Sequence, residues 1–355
     1  MRLACLLLLF PILINSAFAQ PSGYYNTAAN LNGTPLKLAL HNIIDNHNSL
    51  GYSNLWDHFD ETDLRPGTNK IWDIYSDIPG GTPPYLYTFN SDKCGQYDSE
   101  SDCYNREHTW PQSYFSNQEP MLSDLFHIYP TDGFVNGKRS NDPYGEVGNA
   151  SYTSQNGSKS GNSNFAGFSG TVFEPRDEFK GDLARTYFYM ATRYYNEDNN
   201  FTDWTMANGA NLTPYAIALL LSWHHQDTVS QKEKNRNNAI YNLQNNRNPF
   251  IDHPEYADCI WGTGNCAQGT GINTLAESRA VTAFPNPAIA GSVVRIDCEG
   301  AETLDVVSVL GQVVSRAAFS SGRATVATDG LVAGVYLLKA NGKAGYLGAL
   351  RLAVQ

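Results

Sequence analysis

The sequence predicts an α+β protein in which a helix-rich region with a few strands is followed by a small all-β sandwich. Three observations predict this fold class. Hydrophobic residues make up 41% and charged residues 17% of the 355-residue chain, a balance typical of globular proteins and a length that suits two domains. Helical patterns dominate residues 34–261. Short β-like runs with turn residues between them fill residues 293–338, as in a small sandwich.

The first 19 residues have the three parts of a secretory signal peptide. Arg2 precedes an apolar run at 3–14, and 17–19 has the A-x-A form of a cleavage site. The apolar run is shorter than the roughly 20 residues that cross a bilayer as a helix. We therefore expect a mature chain that starts at Gln20 and is secreted or held at the cell surface by way of the periplasm, with no stable membrane insertion.

Capping residues and apolar periodicity predict the elements of the helix-rich region. Thr34 is expected to cap the first helix, and Thr213-Pro214 is typical of a helix start. The predicted helices span 34–44, 52–59, 182–195, 214–223, 231–245 and 253–261. The predicted strands span 70–75 and 85–89. The Gly, Ser and Asn-rich residues 149–170 are expected to form a flexible segment or a loose hairpin.

Two pairs among the 6 cysteines are close in sequence. We expect both to form local disulfides in an oxidising compartment, because short loops are readily closed in this way. The pairs are Cys94 with Cys103 and Cys259 with Cys266, and Cys298 is left over. A zinc site would need C-x-x-C spacing or nearby His pairs, and neither is present.

A carboxylate beside a histidine is the strongest candidate for chemistry. Glu107 and His108 lie in the run Arg-Glu-His-Thr-Trp-Pro, and Asn136 follows some thirty residues later. The histidine suits a general base, and the two oxygen-bearing side chains suit a hard divalent ion. Adjacent strand residues point to opposite faces, so Glu107 and His108 converge only where a strand ends or bends, which Pro111 favours. On spacing alone, a chance neighbouring of two surface residues is the commoner explanation of such a pair.

The order of several motifs resembles the endonuclease I family of secreted or periplasmic nucleases. Arg-Glu-His-Thr-Trp-Pro at 106–111 is followed by Asp-Leu-Phe-His-Ile-Tyr-Pro at 124–130 and Val-Asn-Gly-Lys-Arg-Ser-Asn at 135–141. The stretches at 181–190 and 246–250 are similar to the family's later helix and closing motif. The resemblance implies a ββα-metal, or His-Me finger, nuclease core embedded in helices.

The same resemblance implies a metal-dependent endonuclease that cuts DNA, and often RNA, with little sequence preference and leaves 5′-phosphate ends. His108 would be the general base. Glu107 and Asn136 would hold the divalent ion, with Mg²⁺ expected and Mn²⁺ or Ca²⁺ as alternatives.

One departure from the family concerns the substrate phosphate. Some members place a phosphate-binding arginine in a Cys-containing loop soon after the histidine, but residues 112–121 contain no arginine. Arg139 and Arg185 are the candidates for that role, each with an ordinary salt bridge as the alternative. Asn141 is also expected at the substrate.

The last part of the chain resembles a type IX secretion sorting domain. The motifs are Phe-Pro-Asn-Pro at 284–287, Val-Leu-Gly-Gln-Val-Val at 309–314 and Leu-Val-Ala-Gly-Val-Tyr at 331–336. The implied partner is the type IX secretion machinery, and a generic β-module is the alternative. The resulting organisation has a signal peptide at 1–19, a catalytic domain at 20–266, a linker at 267–283 and a β-sandwich at 284–355.

A net charge of −11 weighs against nucleic-acid binding, since most such proteins are basic. A metal ion and a few cations can still neutralise bound phosphates locally. Arg106 and Lys138 flank the proposed ligands and are either phosphate contacts or solvated cations. The alternative function is a catalytically inactive secreted nucleic-acid-binding or adhesin module. We expect a monomer.

Overall fold

The computed structural model describes residues 20–197, 200–262, 281–308, 313–343 and 345–355. The chain divides into two compact units with a boundary between Ala267 and Gln268. The predicted signal peptide, Cys266 and most of the predicted linker lie outside the described residues. None of the described helices is long and apolar enough to cross a membrane.

Helices are the most abundant regular elements of the first unit, and each predicted helix is present within a few residues of its expected ends. The helices are α1 Gly33–Ile44, α2 Leu55–Thr62, α3 Gly133–Arg139, α4 Lys180–Arg193, α5 Pro214–Gln226, α6 Gln231–Gln244, α7 Pro249–Asp252 and α8 Tyr256–Trp261. All 14 residues of α4 are buried, so this helix runs through the core of the unit.

The helix starts show which capping predictions hold. Thr213 caps α5, because its hydroxyl accepts a hydrogen bond from the backbone N–H of Ala216 at 3.2 Å. Ser230 and Glu233 form a reciprocal capping box at the start of α6. The prediction for α1 is wrong, since its N-cap is Asn32 rather than Thr34.

Strands of the first unit form small antiparallel sheets. β1 Tyr104–His108 pairs with β2 Ile128–Asp132. β3 Val147–Thr153, β4 Lys159–Ser163 and β5 Thr171–Glu174 form a second sheet in that order. β6 Ala207–Asn208 and β7 Asn211–Leu212 form a short third pair. The Gly, Ser and Asn-rich stretch is therefore largely an ordered hairpin.

The predicted strands at 70–75 and 85–89 are wrong. Only isolated bridges form there, between Leu64 and Ile71 and between Lys70 and Thr88. The chain turns at Asp73, whose carboxylate accepts a hydrogen bond from the N–H of Tyr75 at 2.7 Å. A side chain that captures a nearby backbone donor in this way competes with strand pairing.

The predicted disulfide between Cys94 and Cys103 is confirmed and leads directly into β1. Cys259 is buried near the end of the first unit, and its predicted partner lies outside the described residues.

The second unit is an all-β sandwich, as predicted. Its strands are β8 Thr282–Phe284, β9 Val293–Asp297, β10 Thr303–Val307, β11 Val313–Ala318, β12 Arg323–Ala327, β13 Gly334–Gly342 and β14 Gly345–Val354. They form one sheet in the order β11-β10-β13-β14 and another in the order β12-β9-β8. Both sheets contribute to one apolar core, which includes Ile296, Leu304 and Leu338.

Candidate active site

A strand pair and the helix that follows it bring the predicted site residues together. β1 and β2 are antiparallel, with Glu107 opposite Tyr129 and His108 opposite Ile128. α3 starts directly after β2, and its N-cap is Asp132. This order, strand–strand–helix, places Asn136 of α3 beside β1.

The site lies in an open cleft with a volume of about 380 Å³. Five of the six sequence-predicted catalytic, metal-binding and substrate-binding residues line it: Glu107, His108, Asn136, Arg139 and Asn141. Further lining residues include Tyr52, Trp56, Cys94, Gly95, Tyr97, Asn105 and Arg106. Glu107 and His108 both reach the cleft because they are the last two residues of β1, where the strand ends before Pro111.

His108 is held as a neutral imidazole with a defined tautomer. Its Nε2 lies 3.2 Å from the carbonyl oxygen of Leu122. A carbonyl only accepts hydrogen bonds, so Nε2 carries the proton and Nδ1 keeps the free lone pair. Burial, together with the nearby His127, lowers the pKa of His108 to about 3. The imidazole is therefore unprotonated at neutral pH and can accept a proton.

Glu107 is only 2% exposed, and its buried carboxylate has two partners on one oxygen. Oε1 accepts hydrogen bonds from the hydroxyl of Tyr75 at 2.8 Å and from Arg139 at 3.0 Å. Burial raises the pKa of Glu107 above its ordinary value, although Arg139 and Tyr75 oppose that rise. Because both bonds go to Oε1, Oε2 is the oxygen that could reach an ion.

Arg139 holds the end of β1 in place through three hydrogen bonds. It donates to Glu107, to the carbonyl of His108 at 3.0 Å and to the carbonyl of Thr109 at 2.7 Å. Burial alone would lower its pKa, but Glu107 and nearby tyrosines raise it instead. The salt-bridge alternative considered for this residue is therefore the arrangement seen.

Arg185, which was predicted to bind substrate, is not among the residues that line the cleft. It is fully buried, and it donates to both oxygens of Glu233 and to the carbonyl of Asp227. Its role is to join α4 to α6 in the core, because a buried arginine needs such carboxylate partners.

A hydrogen bond orients the amide of Asn136. Its Nδ2 donates to Oδ1 of Asn105 at 2.7 Å, which leaves its own Oδ1 as the free amide oxygen. Within the described ranges, His, Cys, Asp and Glu form no cluster of three or more that could hold a metal ion. One carboxylate and one amide oxygen still fit Mg²⁺, which usually keeps several waters and takes few protein ligands.

Three residues that orient the proposed ligands and the proposed base were not predicted from the sequence. Tyr75 and Asn105 act through hydrogen bonds to the predicted ligands, and Leu122 acts through its backbone carbonyl. Asn105 carried a usable signal, because it lies two residues before Glu107 and so shares its strand face. Tyr75 and Leu122 carried none, since only the folded chain brings them to the cleft.

Two family models match the chain. Residues 32–255 match the model described as Endonuclease I, and residues 282–348 match a secretion system C-terminal sorting domain.

Curated relatives cover much of the same region. The chain is 38% identical over 259 residues to an extracellular ribonuclease of Bacillus amyloliquefaciens, a match that covers 70% of this chain and 82% of the relative. It is 36% identical over 252 residues to an extracellular ribonuclease of Bacillus subtilis strain 168, covering 69% and 80%. An extracellular deoxyribonuclease of Aeromonas hydrophila is 28% identical over 132 residues, covering 37% and 50%.

The sorting-domain match and the extracellular relatives indicate that the protein is secreted or located at the cell surface. The Endonuclease I match spans more than half of the 355 residues and includes all of the residues named above as lining the cleft. On this match, and with two relatives above 30% identity that are covered over most of their length, the chain belongs to the endonuclease I family.

Proposed function

We propose that the protein is a metal-dependent endonuclease of the ββα-metal class that hydrolyses DNA and RNA with little sequence preference and leaves 5′-phosphate ends. One observation carries this proposal. Nε2 of His108 donates a hydrogen bond to the carbonyl of Leu122, so Nδ1 keeps its lone pair as a base, and His108 lines the same cleft as Glu107 and Asn136. Relatives named as ribonucleases and as a deoxyribonuclease support both substrates.

The chain's own residues suit a one-step displacement at phosphorus. Nδ1 of His108 accepts a proton from water as the water oxygen forms a bond to phosphorus. The bond between phosphorus and the 3′-oxygen breaks, and that oxygen takes a proton from solvent. The hydrogen bond to Leu122 keeps the imidazole oriented while it holds the proton, which it then releases to solvent.

Oε2 of Glu107 and Oδ1 of Asn136 would hold the divalent ion, with Mg²⁺ preferred over Mn²⁺ or Ca²⁺. When bound, the ion supplies positive charge to the phosphate and to the leaving oxygen. Arg139 and Tyr75 fix the carboxylate of Glu107, and Asn105 fixes the amide of Asn136. Both ligands are therefore oriented by hydrogen bonds from the protein itself.

Supercoiled plasmid and RNA, incubated with the mature full-length protein in Mg²⁺ and then in EDTA, test the proposal. We expect cleavage of both substrates in Mg²⁺ and none in EDTA. His108→Ala should lose cleavage, whereas His225→Ala, an exposed control, should keep it. Binding without cleavage by folded wild-type protein in any divalent ion would favour the inactive binding module instead.

A further inference from the structure

We propose that Arg106 binds the scissile phosphate and so takes the role of the arginine that the chain lacks after His108. This inference rests on the proposed nuclease function and deepens it by naming the cation that receives the substrate.

Strand geometry places Arg106 on the correct side of β1. Arg106 and His108 are two residues apart in an antiparallel strand, so their side chains leave the same face. Both line the cleft. A phosphate attacked by water that His108 activates would therefore lie next to the guanidinium of Arg106.

Arg106 differs from Arg139, the other arginine of the cleft, in its freedom to bind an anion. Arg139 is buried against Glu107 and two carbonyls. Arg106 is half-buried, and among the described residues no carboxylate forms an ion pair with it. The hydrogen bond seen is from Nη1 to the carbonyl of Tyr52 at 2.5 Å.

The buried arginines of the first unit are all paired with carboxylates: Arg139, Arg185, Arg193, Arg236 and Arg247. Arg106 lines the cleft without a paired carboxylate, and a phosphate of a bound substrate would supply the negative charge that the carboxylates supply elsewhere. Desolvating a cation is unfavourable unless it is paired, so a bound phosphate would offset that cost.

Two aromatic rings pack against the guanidinium of Arg106. Its Cζ lies 3.5 Å from the ring centroid of Tyr52 and 4.6 Å from that of Trp56. Stacking uses the face of the guanidinium and leaves N–H groups at its edge free, and that edge matches two phosphate oxygens. The Tyr52 ring centroid is also 5.6 Å from that of His108, so the stacked arginine is held beside the proposed base.

The test compares Arg106→Met and Arg106→Lys with wild type, using mature full-length protein, Mg²⁺ and a single-stranded oligonucleotide. A charge-assisted bond contributes enough that Arg106→Met should lower kcat/KM by about 10- to 100-fold, chiefly through KM. The Lys variant keeps a point charge and should recover part of the loss. Arg176→Met removes a half-exposed arginine that is paired with Glu178 outside the cleft, and it should match wild type.

Binding provides a readout that does not require turnover. In a His108→Ala background, a labelled 5′-phosphorylated oligonucleotide should bind about 10- to 100-fold more weakly when Arg106→Met is added. The slope of log affinity against log salt should fall by about 0.7 for one lost phosphate contact with single-stranded nucleic acid. Unchanged affinity and salt slope in folded Arg106→Lys and Arg106→Met would overturn the inference. No cleavage by wild type would instead overturn the proposed nuclease function.

Discussion

The guanidinium of Arg139 lies 3.0 Å from the carboxylate of Glu107, and both side chains are almost fully buried. The carboxylate proposed to hold the ion is thus already paired with a cation of the protein. The pairing leaves Arg139 unsuited to substrate and fixes the oxygen that Glu107 can offer. Breaking a buried pair by removing one partner is strongly destabilising, because a charge is left without compensation.

Arg139→Met should therefore lower the free energy of unfolding by about 3–5 kcal/mol, measured by urea denaturation at pH 7. Arg176→Met, which breaks a partly exposed pair, should cost about 1 kcal/mol or less. Adding Glu107→Gln to Arg139→Met removes the stranded charge, so the double variant should be more stable than Arg139→Met alone. A double variant that is less stable than both single variants would contradict this account.

Asn105→Ala should weaken the ion site without unfolding the protein. The hydrogen bond from Asn136 would be lost, and its amide would be free to rotate. We expect the Mg²⁺ concentration for half-maximal cleavage to rise about 10- to 100-fold, as is common when a partner of a metal ligand is removed. Activity at saturating Mg²⁺ should recover largely, whereas Asn136→Ala should not recover. An unchanged Mg²⁺ requirement in Asn105→Ala would count against Asn136 as an ion ligand.

The stability of the protein should fall on mild acidification, and His224 provides one measurable part of that fall. Burial and the nearby Arg185 lower the pKa of His224 to about 4. The unfolded chain binds this proton at about pH 6.5, so it binds more protons than the native state between about pH 6.5 and pH 4. Stability is therefore fully present above pH 6.5 and is lost as the pH falls through that window.

The His224 contribution should be about 1.4 kcal/mol per pH unit inside the window. Urea denaturation of wild type and His224→Gln at pH 7, 6 and 5 measures it, with a flatter pH dependence expected for the variant. Parallel curves for wild type and His224→Gln would show that His224 contributes nothing.

The disulfide loop should stabilise the helix that carries Asn136. A Cβ added at Gly133 would lie 2.6 Å from Sγ of Cys94, and one at Gly137 would lie 3.1 Å from the hydroxyl of Tyr97. The loop therefore packs against α3 through two positions that have no side chain. Cys94→Ser combined with Cys103→Ser should cost about 2–3 kcal/mol of unfolding free energy.

The Cys94 and Cys103 double variant should also lower cleavage, because Gly95 and Tyr97 line the cleft. Cys298→Ser serves as the control, since it lies in the second unit and should leave nuclease activity unchanged. Wild-type cleavage and stability in the double variant would show that the loop is not needed to hold α3.

Local chemistry in the sequence was enough for the helices but not for every strand. Thr213-Pro214 predicts the start of α5 because capping needs only neighbouring residues. Apolar and polar residues alternate over 70–75 as in a strand. The carboxylate of Asp73 nevertheless accepts a hydrogen bond from the backbone N–H of Tyr75, and the chain turns there. Competition between a side chain and a strand partner is decided by the fold, so periodicity alone gave the wrong prediction.

The site shows the same division. Residue type and motif order predicted one shared site for Glu107, His108 and Asn136, and all three residues line one cleft. Residue type and motif order did not show which of Arg106 and Arg139 is available to a phosphate. Both are cations near the motif, and only burial and carboxylate pairing distinguish them. The tautomer of His108 depends on a backbone carbonyl, which every residue carries and which no sequence pattern marks.

The two partners of Glu107 are each 32 residues away along the chain, Tyr75 before it and Arg139 after it. Polypeptides are synthesised and exported from the N-terminus onward. A chain that has emerged only to about residue 130 contains Glu107 and His108 but has neither Asn136 nor Arg139. Such a partial chain lacks part of the proposed ion site, so the proposed activity requires the chain to extend at least through Arg139.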